Sequence, residues 1–295
     1  MAWSILFRRI KFDTYSIYGT IIVFAFVLAL HGILQYVGIS SNRSVFAITG
    51  SFDNPAGFAA ALACALPLCF LFFKKNENYL RYSAIAAAGI MAIAIVLSGS
   101  RAGIFAVLVA STTWLLLQSK IISQKSKIAL VVALAALPLV LYFFKKDSAD
   151  GRLLIWRCTM DMVADKPVFG HGHGAFQANY MLYQAEYFKA NPDSRYAQLA
   201  DNVMHPFNEY LLILSQYGIA GLSVFILLVF LLIRTYRRNP SDEKLAALLS
   251  LLALAVFSFF SYPFRYPFSW AMVVLCMSVI FNIKIGNQKL LWLSR

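Results

Sequence analysis

Three arginines and a histidine define the chemistry this sequence can offer. Arg101 stands in "LSGSRAGIF", Arg152 and Arg157 in "DGRLLIWRCTMDM", and His205 in "DNVMHPFNEYL". The planar guanidinium fork fits a phosphate or diphosphate, and a nearby histidine suits proton removal from an attacking hydroxyl. Arg101 is flanked by Ser98, Gly99, Ser100 and Gly103, small residues that let a ligand or another helix come close. A snorkelling arginine at a helix end is the plainer reading. Pro206 fits a first helical position, which predicts His205 as the N-cap, where the helix dipole favours the neutral, basic imidazole. A histidine that only caps is the alternative. Asn208 lies beside it, and Glu209, one turn on, is placed to orient the ring or a substrate hydroxyl.

Two further stretches carry candidate contacts. In "GSFDNPAGFAA", Asp53 and Asn54 before Pro55 form a strong helix-start signal. A capped helix entry accounts for them as well as substrate binding does. In "SYPFRYPFSW", Arg265 sits among aromatic residues, a composition that an interfacial aromatic belt explains.

These residues must be held by membrane elements. The chain has 295 residues, 60% hydrophobic and only 13% charged, with mean hydropathy +0.69, which marks an integral membrane protein. Apolar runs predict eight spans at about 15–37, 55–73, 82–98, 102–118, 128–144, 206–233, 244–262 and 267–283. The third and fourth meet at "SGSRAG", a tight helical hairpin. Arginine is costly in hydrocarbon, so this turn belongs at a membrane surface. The expected division is 1–144 with about five helices, a loop on the outer face over 145–205, and 206–295 with about three helices.

The net charge of +13 could suggest nucleic acid, but its distribution does not. One set of connections holds 16 Lys/Arg against four acids, among them Arg8, Arg9, Lys11, Lys120, Lys284, Lys289 and Arg295. The alternate set holds 10 against nine. This is the positive-inside pattern; it predicts both termini in the cytoplasm and excludes a nucleic-acid partner. The first run is too long for a signal-peptide core and reads as an anchor.

The loop of about sixty residues from Lys145 to Met204 is long enough to be functional. Leu153, Trp156, Met160 and Val163 recur at helical spacing, predicting an amphipathic helix over 151–164 that lies on or against the membrane face. Arg157 and Asp161 can pair at i,i+4. After Lys166-Pro167, "GHGHG" reads as a flexible turn. His171 and His173 with His205 could supply three zinc ligands, but a glycine-rich turn needs no metal and no acidic cluster stands nearby, so no metal is expected. The four cysteines imply neither a disulfide framework nor a metal site.

"LSGSRAGIFA", "RLLIWRCTMDMVADKPVFGHGHGAF" and "HPFNEYLLILSQYGIAGLSVF", with the Asn-Pro turn of "GSFDNPAGFAA", together resemble the O-antigen ligase and polymerase family of bacterial inner membranes. The resemblance implies an all-helical glycosyltransferase of the lipid-sugar type, with a large periplasmic loop. It implies glycan transfer from undecaprenyl diphosphate to an acceptor hydroxyl at the periplasmic face, without a cofactor. The family's Ser-Arg arginine falls on Arg101, its loop arginine on Arg152 or Arg157, and its histidine on His205, with Asn208 beside it. His171 and His173 depart from the pattern and carry no role. Relatives have further spans upstream, so an N-terminally short chain is one expectation. Lipid A core, the growing polymer and a protein hydroxyl remain open as acceptors, corresponding to ligase, polymerase and protein O-oligosaccharyltransferase. A small-anion transporter of the bicarbonate type, or a non-catalytic membrane component, are readings of another class. Transport favours charges near the midplane and interrupted helices, whereas here the charges collect at one surface.

Overall fold

A backbone surrounded by hydrocarbon must satisfy its own N–H and C=O groups, and helices do so locally. The computed structural model describes residues 13–41, 44–118, 123–144 and 146–281, and all regular structure among them is helical. The basic residues Arg8, Arg9, Lys11, Lys120, Lys284, Lys289 and Arg295 fall outside the described residues. Eight helices follow the apolar runs: α1 (Thr14–Tyr36), α2 (Pro55–Phe72), α3 (Asn78–Leu97), α4 (Arg101–Leu117), α5 (Gln124–Phe144), α8 (Glu209–Arg238), α9 (Asp242–Ser258) and α10 (Pro267–Ile280). The long connection adds α6 (Lys146–Asp165) and α7 (Ala175–Ala190). Among the described residues α1, α2, α3 and α8 are long and apolar enough to cross a membrane, whereas α4 and α10 are apolar but shorter.

The bundle is built around α2. Its sequence, rich in alanine, lets neighbouring helices approach closely, and Phe58, Ala59, Leu62, Ala65 and Leu68 are fully buried. Pro67 removes a backbone donor and falls in the short 3₁₀ turn Leu66–Leu68 that interrupts the helix. At one end of the bundle Lys74 pairs with Asp242 at 2.8 Å and Lys75 lies over the Tyr15 ring at 3.8 Å. The Tyr18 hydroxyl donates to the Glu243 carbonyl at 3.2 Å. The candidate site residues gather at the other end.

Between the long connection and the bundle lies a second, smaller core. Leu154, Ile155, Cys158 and Met162 of α6 pack on Phe176 and Tyr180 of α7. The helix over 151–164 is present and longer than expected; of its expected stripe, Trp156 packs on this core and Val163 is buried. Leu153 and Met160 are exposed, at 40% and 48%. The reason is α7, which the sequence reading left as loop: given a protein partner, α6 turns a neighbouring face inward and is held by that core.

α8 is broken at Gly218, where φ is 62° and ψ −161°, a conformation essentially confined to glycine. The turn after Pro167 occupies the break. Ile219 and Ala220 N–H groups donate to the Pro167 and Val168 carbonyls at 2.8 and 3.1 Å, and His171 and Gly172 N–H groups donate to the Ser215 and Gln216 carbonyls at 2.9 Å each. A Cβ on Gly218 would strike the Val168 carbonyl, and one on Gly170 the backbone of Gln216. The "GHGHG" segment is therefore a fitted backbone seam rather than a flexible turn.

Gly218→Ala is expected to cost about 1–3 kcal/mol from backbone strain alone, before the clash with Val168. Gly19→Ala, in open space on α1, should be neutral or slightly stabilising. Thermal unfolding of the two variants in detergent checks this: a melting temperature for Gly218→Ala equal to that of Gly19→Ala would show that the seam does not hold the break.

Candidate active site

The site begins at the start of α8. Asn208, in extended conformation at φ −157°, accepts hydrogen bonds through Oδ1 from the N–H groups of Tyr210 and Leu211 at 2.9 and 3.1 Å. It is the N-cap, and His205 is not. Pro206 lies three residues before Glu209, the first helical residue, and Phe207 takes a left-handed φ of 53°, which prevents the helix from running back to Pro206. A short amide reaches the first free N–H groups directly, so the expected histidine cap is displaced by the asparagine.

His205 is held in place by other partners. Its ring stacks on Tyr262 with centroids 4.9 Å apart, and its Nε2 lies 3.4 Å from Arg265 Nη1. A guanidinium has only donors, so this contact pairs it with a bare Nε2 and puts the imidazole proton on Nδ1. Burial, and then the Arg265 charge, hold the His205 pKa below its ordinary value. The neutral base is thus favoured, by burial first and then by the neighbouring cation, rather than by a helix dipole.

Tyr262 is the hub. Its hydroxyl accepts from Asn54 Nδ2 at 3.2 Å, while Asn54 Oδ1 caps α2 by accepting from Ala56 and Gly57 at 2.9 and 3.2 Å. The Tyr266 hydroxyl donates to Asp53 at 3.3 Å. Burial and the Asp53 charge raise the Tyr262 pKa, keeping its hydroxyl protonated. Glu209, buried, accepts from the Phe264 N–H at 3.2 Å. It therefore fixes the Pro263–Arg265 turn, which carries Arg265 to the histidine.

Arg152 lies over the Phe207 ring at 5.3 Å. Burial, then the charge of Arg101, lower its pKa to about 10, so it stays cationic at neutral pH. Arg101, at the first position of α4, donates from Nη2 to Ser148 Oγ at 3.1 Å. Trp156 donates its indole N–H to the Pro206 carbonyl at 2.9 Å, clamping α6 to the turn that bears His205. Ser100 caps α4 by accepting from Gly103. A Cβ on Gly103 would meet Ala59 and Ile95 at 3.0 Å, so that small residue serves helix packing.

One end of the molecule thus unites Arg101, Arg152, His205, Asn208, Glu209, Asn54 and Arg265. Arg157 is not among them: it points to the other side of α6, 3.8 Å from Asp161. The residues missed in the sequence are Tyr262, Tyr266, Phe207, Trp156 and Ser148. His171 Nε2 meets the Met162 carbonyl at 2.8 Å and His173 Nδ1 the Tyr217 hydroxyl at 2.8 Å, and among the described residues no three metal-ligating side chains converge. A polar cleft of about 700 Å³, lined by His31, Gln35 and several serines, reaches Phe52 and Asp53 beside the hub.

Residues 86–226, just under half of the chain, match the family model described as O-antigen ligase. That segment is similar to the O-antigen ligase family. Over 93 residues the chain is 31% identical to a protein of Rickettsia typhi provisionally named a polysaccharide ligase. This alignment covers 30% of the chain and 21% of that relative's length. The matched segment contains Arg101, Arg152 and His205 but ends before Tyr262 and Arg265, which the fold adds.

Removing the charge with Arg265→Gln relieves repulsion on the imidazolium, so the His205 midpoint should move to higher pH. An NMR titration of the histidine ring carbons, assigned with His205→Gln, reads this; an unmoved or lowered midpoint would show that Arg265 does not govern the base.

Proposed function

We propose that this protein is a glycosyltransferase of the bacterial inner membrane that moves a glycan from undecaprenyl diphosphate to an acceptor hydroxyl on the periplasmic side. The eight helices that follow the apolar runs are the expected passes, with both termini cytoplasmic. The observation that carries the reading is the gathering of two arginines, Arg101 and Arg152, with a histidine held neutral beside them. The diphosphate meets Arg101 and Arg152, whose cationic charges suit a polyanion. The acceptor hydroxyl displaces Arg265 from His205 Nε2 and hands its proton to that nitrogen. The acceptor oxygen bonds to the anomeric carbon, the carbon–oxygen bond to the diphosphate breaks, and its electron pair leaves on the diphosphate, with inversion. The arginines stabilise that charge where it develops. A diphosphate is already a good leaving group. Ligase, polymerase and protein O-oligosaccharyltransferase differ only in which hydroxyl attacks.

The break at Gly218 speaks for transport, since interrupted helices mark transport sites. Yet the carbonyls of Ser215 and Gln216 at the break are taken by the N–H groups of His171 and Gly172, so the exposed backbone is matched within the protein. Transfer is the better-supported reading.

In a reconstituted assay with the cell's own polyprenyl-linked glycan, Arg101→Ala and Arg152→Ala should each lower turnover on the order of 100-fold. His205→Ala should lower it to a similar degree. A wild-type rate in His205→Ala would remove the base from the mechanism. Deleting the gene distinguishes the acceptors: stranded long polymer on the carrier indicates a ligase or oligosaccharyltransferase, and stranded single repeat units a polymerase.

A further inference from the structure

A second cleft, of about 580 Å³, opens between α6 and α7, across α6 from Arg152. It falls within the size range of small-ligand sites, and its chemistry is opposite to that of the arginine cluster. Asp161, Asp165 and Glu186 line it together with a single cation, Arg157, which is already 3.8 Å from Asp161. A cleft of this balance repels phosphates and other anions. The carboxylates are not arranged to hold a metal ion among the described residues. Ionised carboxylates accept hydrogen bonds and cannot donate them, so a matching ligand brings hydroxyl or ammonium donors.

Three tyrosines share the lining with Leu153, Ala190 and Asn191. Tyr183 and Tyr187 stand one helical turn apart on α7, and Tyr196 joins them. Each offers an apolar ring face and a polar rim. Their orientations are set within the protein: Tyr183 donates to Asp165 at 2.5 Å, the Tyr187 hydroxyl lies 3.2 Å from Ser194 Oγ, and Tyr196 accepts from Arg195 at 2.9 Å. Such preorganised rings and acceptors lower the ordering cost of binding. A pyranose matches this lining, with one C–H face for a ring and a rim of hydroxyl donors for the carboxylates. We infer that the α6–α7 cleft binds neutral or amino-sugar units of a glycan, at a subsite separate from the arginine cluster. This rests on the proposed glycan transfer for its biological setting. α6 is one helix, about 10 Å across, so the two sites are within the reach of one oligosaccharide whose linked end sits at Arg152.

The test uses the full chain in lipid nanodiscs and the oligosaccharide released by mild acid from the cell's own polyprenyl-linked pool, free of lipid and phosphate. Saturable binding is expected, and excess inorganic diphosphate should leave it intact. Joint Tyr183→Ala and Tyr187→Ala substitution should weaken binding about tenfold, and Glu186→Gln, a conservative change at an exposed position, should weaken it measurably without a folding risk. Arg101→Ala should bind as wild type does. Absence of saturable binding, or binding indifferent to both the tyrosine and Glu186 changes, overturns the cleft. A wild-type transfer rate in Arg101→Ala, with tyrosine-dependent binding kept, sinks the transfer mechanism and leaves the cleft standing.

Discussion

The backbone seam at the break in α8 joins the two parts of the molecule. A helix interrupted at Gly218 leaves carbonyls and N–H groups without intrahelical partners, and buried groups of that kind are costly when unmatched. The turn after Pro167 supplies the missing partners through the N–H groups of His171 and Gly172 and the carbonyls of Pro167 and Val168. The chain before this turn is α6 and the chain after it leads into α7, so both are tied to the bundle at one place. The Trp156 indole, bonded to the Pro206 carbonyl, provides a second tie about two and a half turns earlier on α6. Two ties fix a helix in both position and rotation, and rotation is what brings Arg152 over Phe207 while Arg157 faces away.

The electrostatics of the cluster follow from that placement. Arg152 is desolvated and feels Arg101, so both guanidiniums stay charged at some cost to the free protein. The aromatic face of Phe207 offsets part of this for Arg152. A third cation, Arg265, opposes protonation of His205. Together these groups make a region that favours an anion and disfavours an imidazolium, and perturbed groups assembled in this way are characteristic of functional sites. Tyr262 ties the region together by stacking on His205 while accepting from Asn54, so the cap of α2 and the histidine share one anchor. The carboxylate of Glu209 acts at one remove, through the Phe264 N–H and the turn that bears Arg265.

Much of this was legible in the sequence, for identifiable reasons. Eight apolar runs became eight helices because runs of that length in hydrocarbon have few other options. Arg101, Arg152, His205 and Asn208 stood out because polar residues at the ends of such runs are few. The failures were those of local rules meeting competitors. Pro206 is a good first helical residue, yet Asn208 is a better cap and Phe207 reverses the chain between them. The stripe through Leu153 and Met160 obeys helical periodicity, but periodicity cannot choose between adjacent apolar faces without knowing the partner. That partner, α7, did carry a signal: Phe176, Tyr180, Tyr183 and Tyr187 recur at helical spacing with polar residues between them. Tyr262 and Tyr266 looked like an aromatic belt, and only tertiary contacts with Asn54 and Asp53 separate a hub from a belt.

α6 has a division of labour that neither its composition nor its length reveals. Its inward face builds the small core with α7, which leaves two lateral faces for charged groups. One carries Arg152 toward Phe207 and the cationic cluster; the other carries Asp161 and Asp165 into the tyrosine-lined cleft. Opposite charges on opposite sides of one rigid helix sort a ligand by its parts. In the proposed reaction the diphosphate is drawn to one side and the sugars to the other. The register of α6, set by Trp156 and the seam at Gly218, then determines how far apart those parts must be. Specificity for the linkage between lipid and glycan can thus reside in the placement of a helix, with no side chain reading the bond itself.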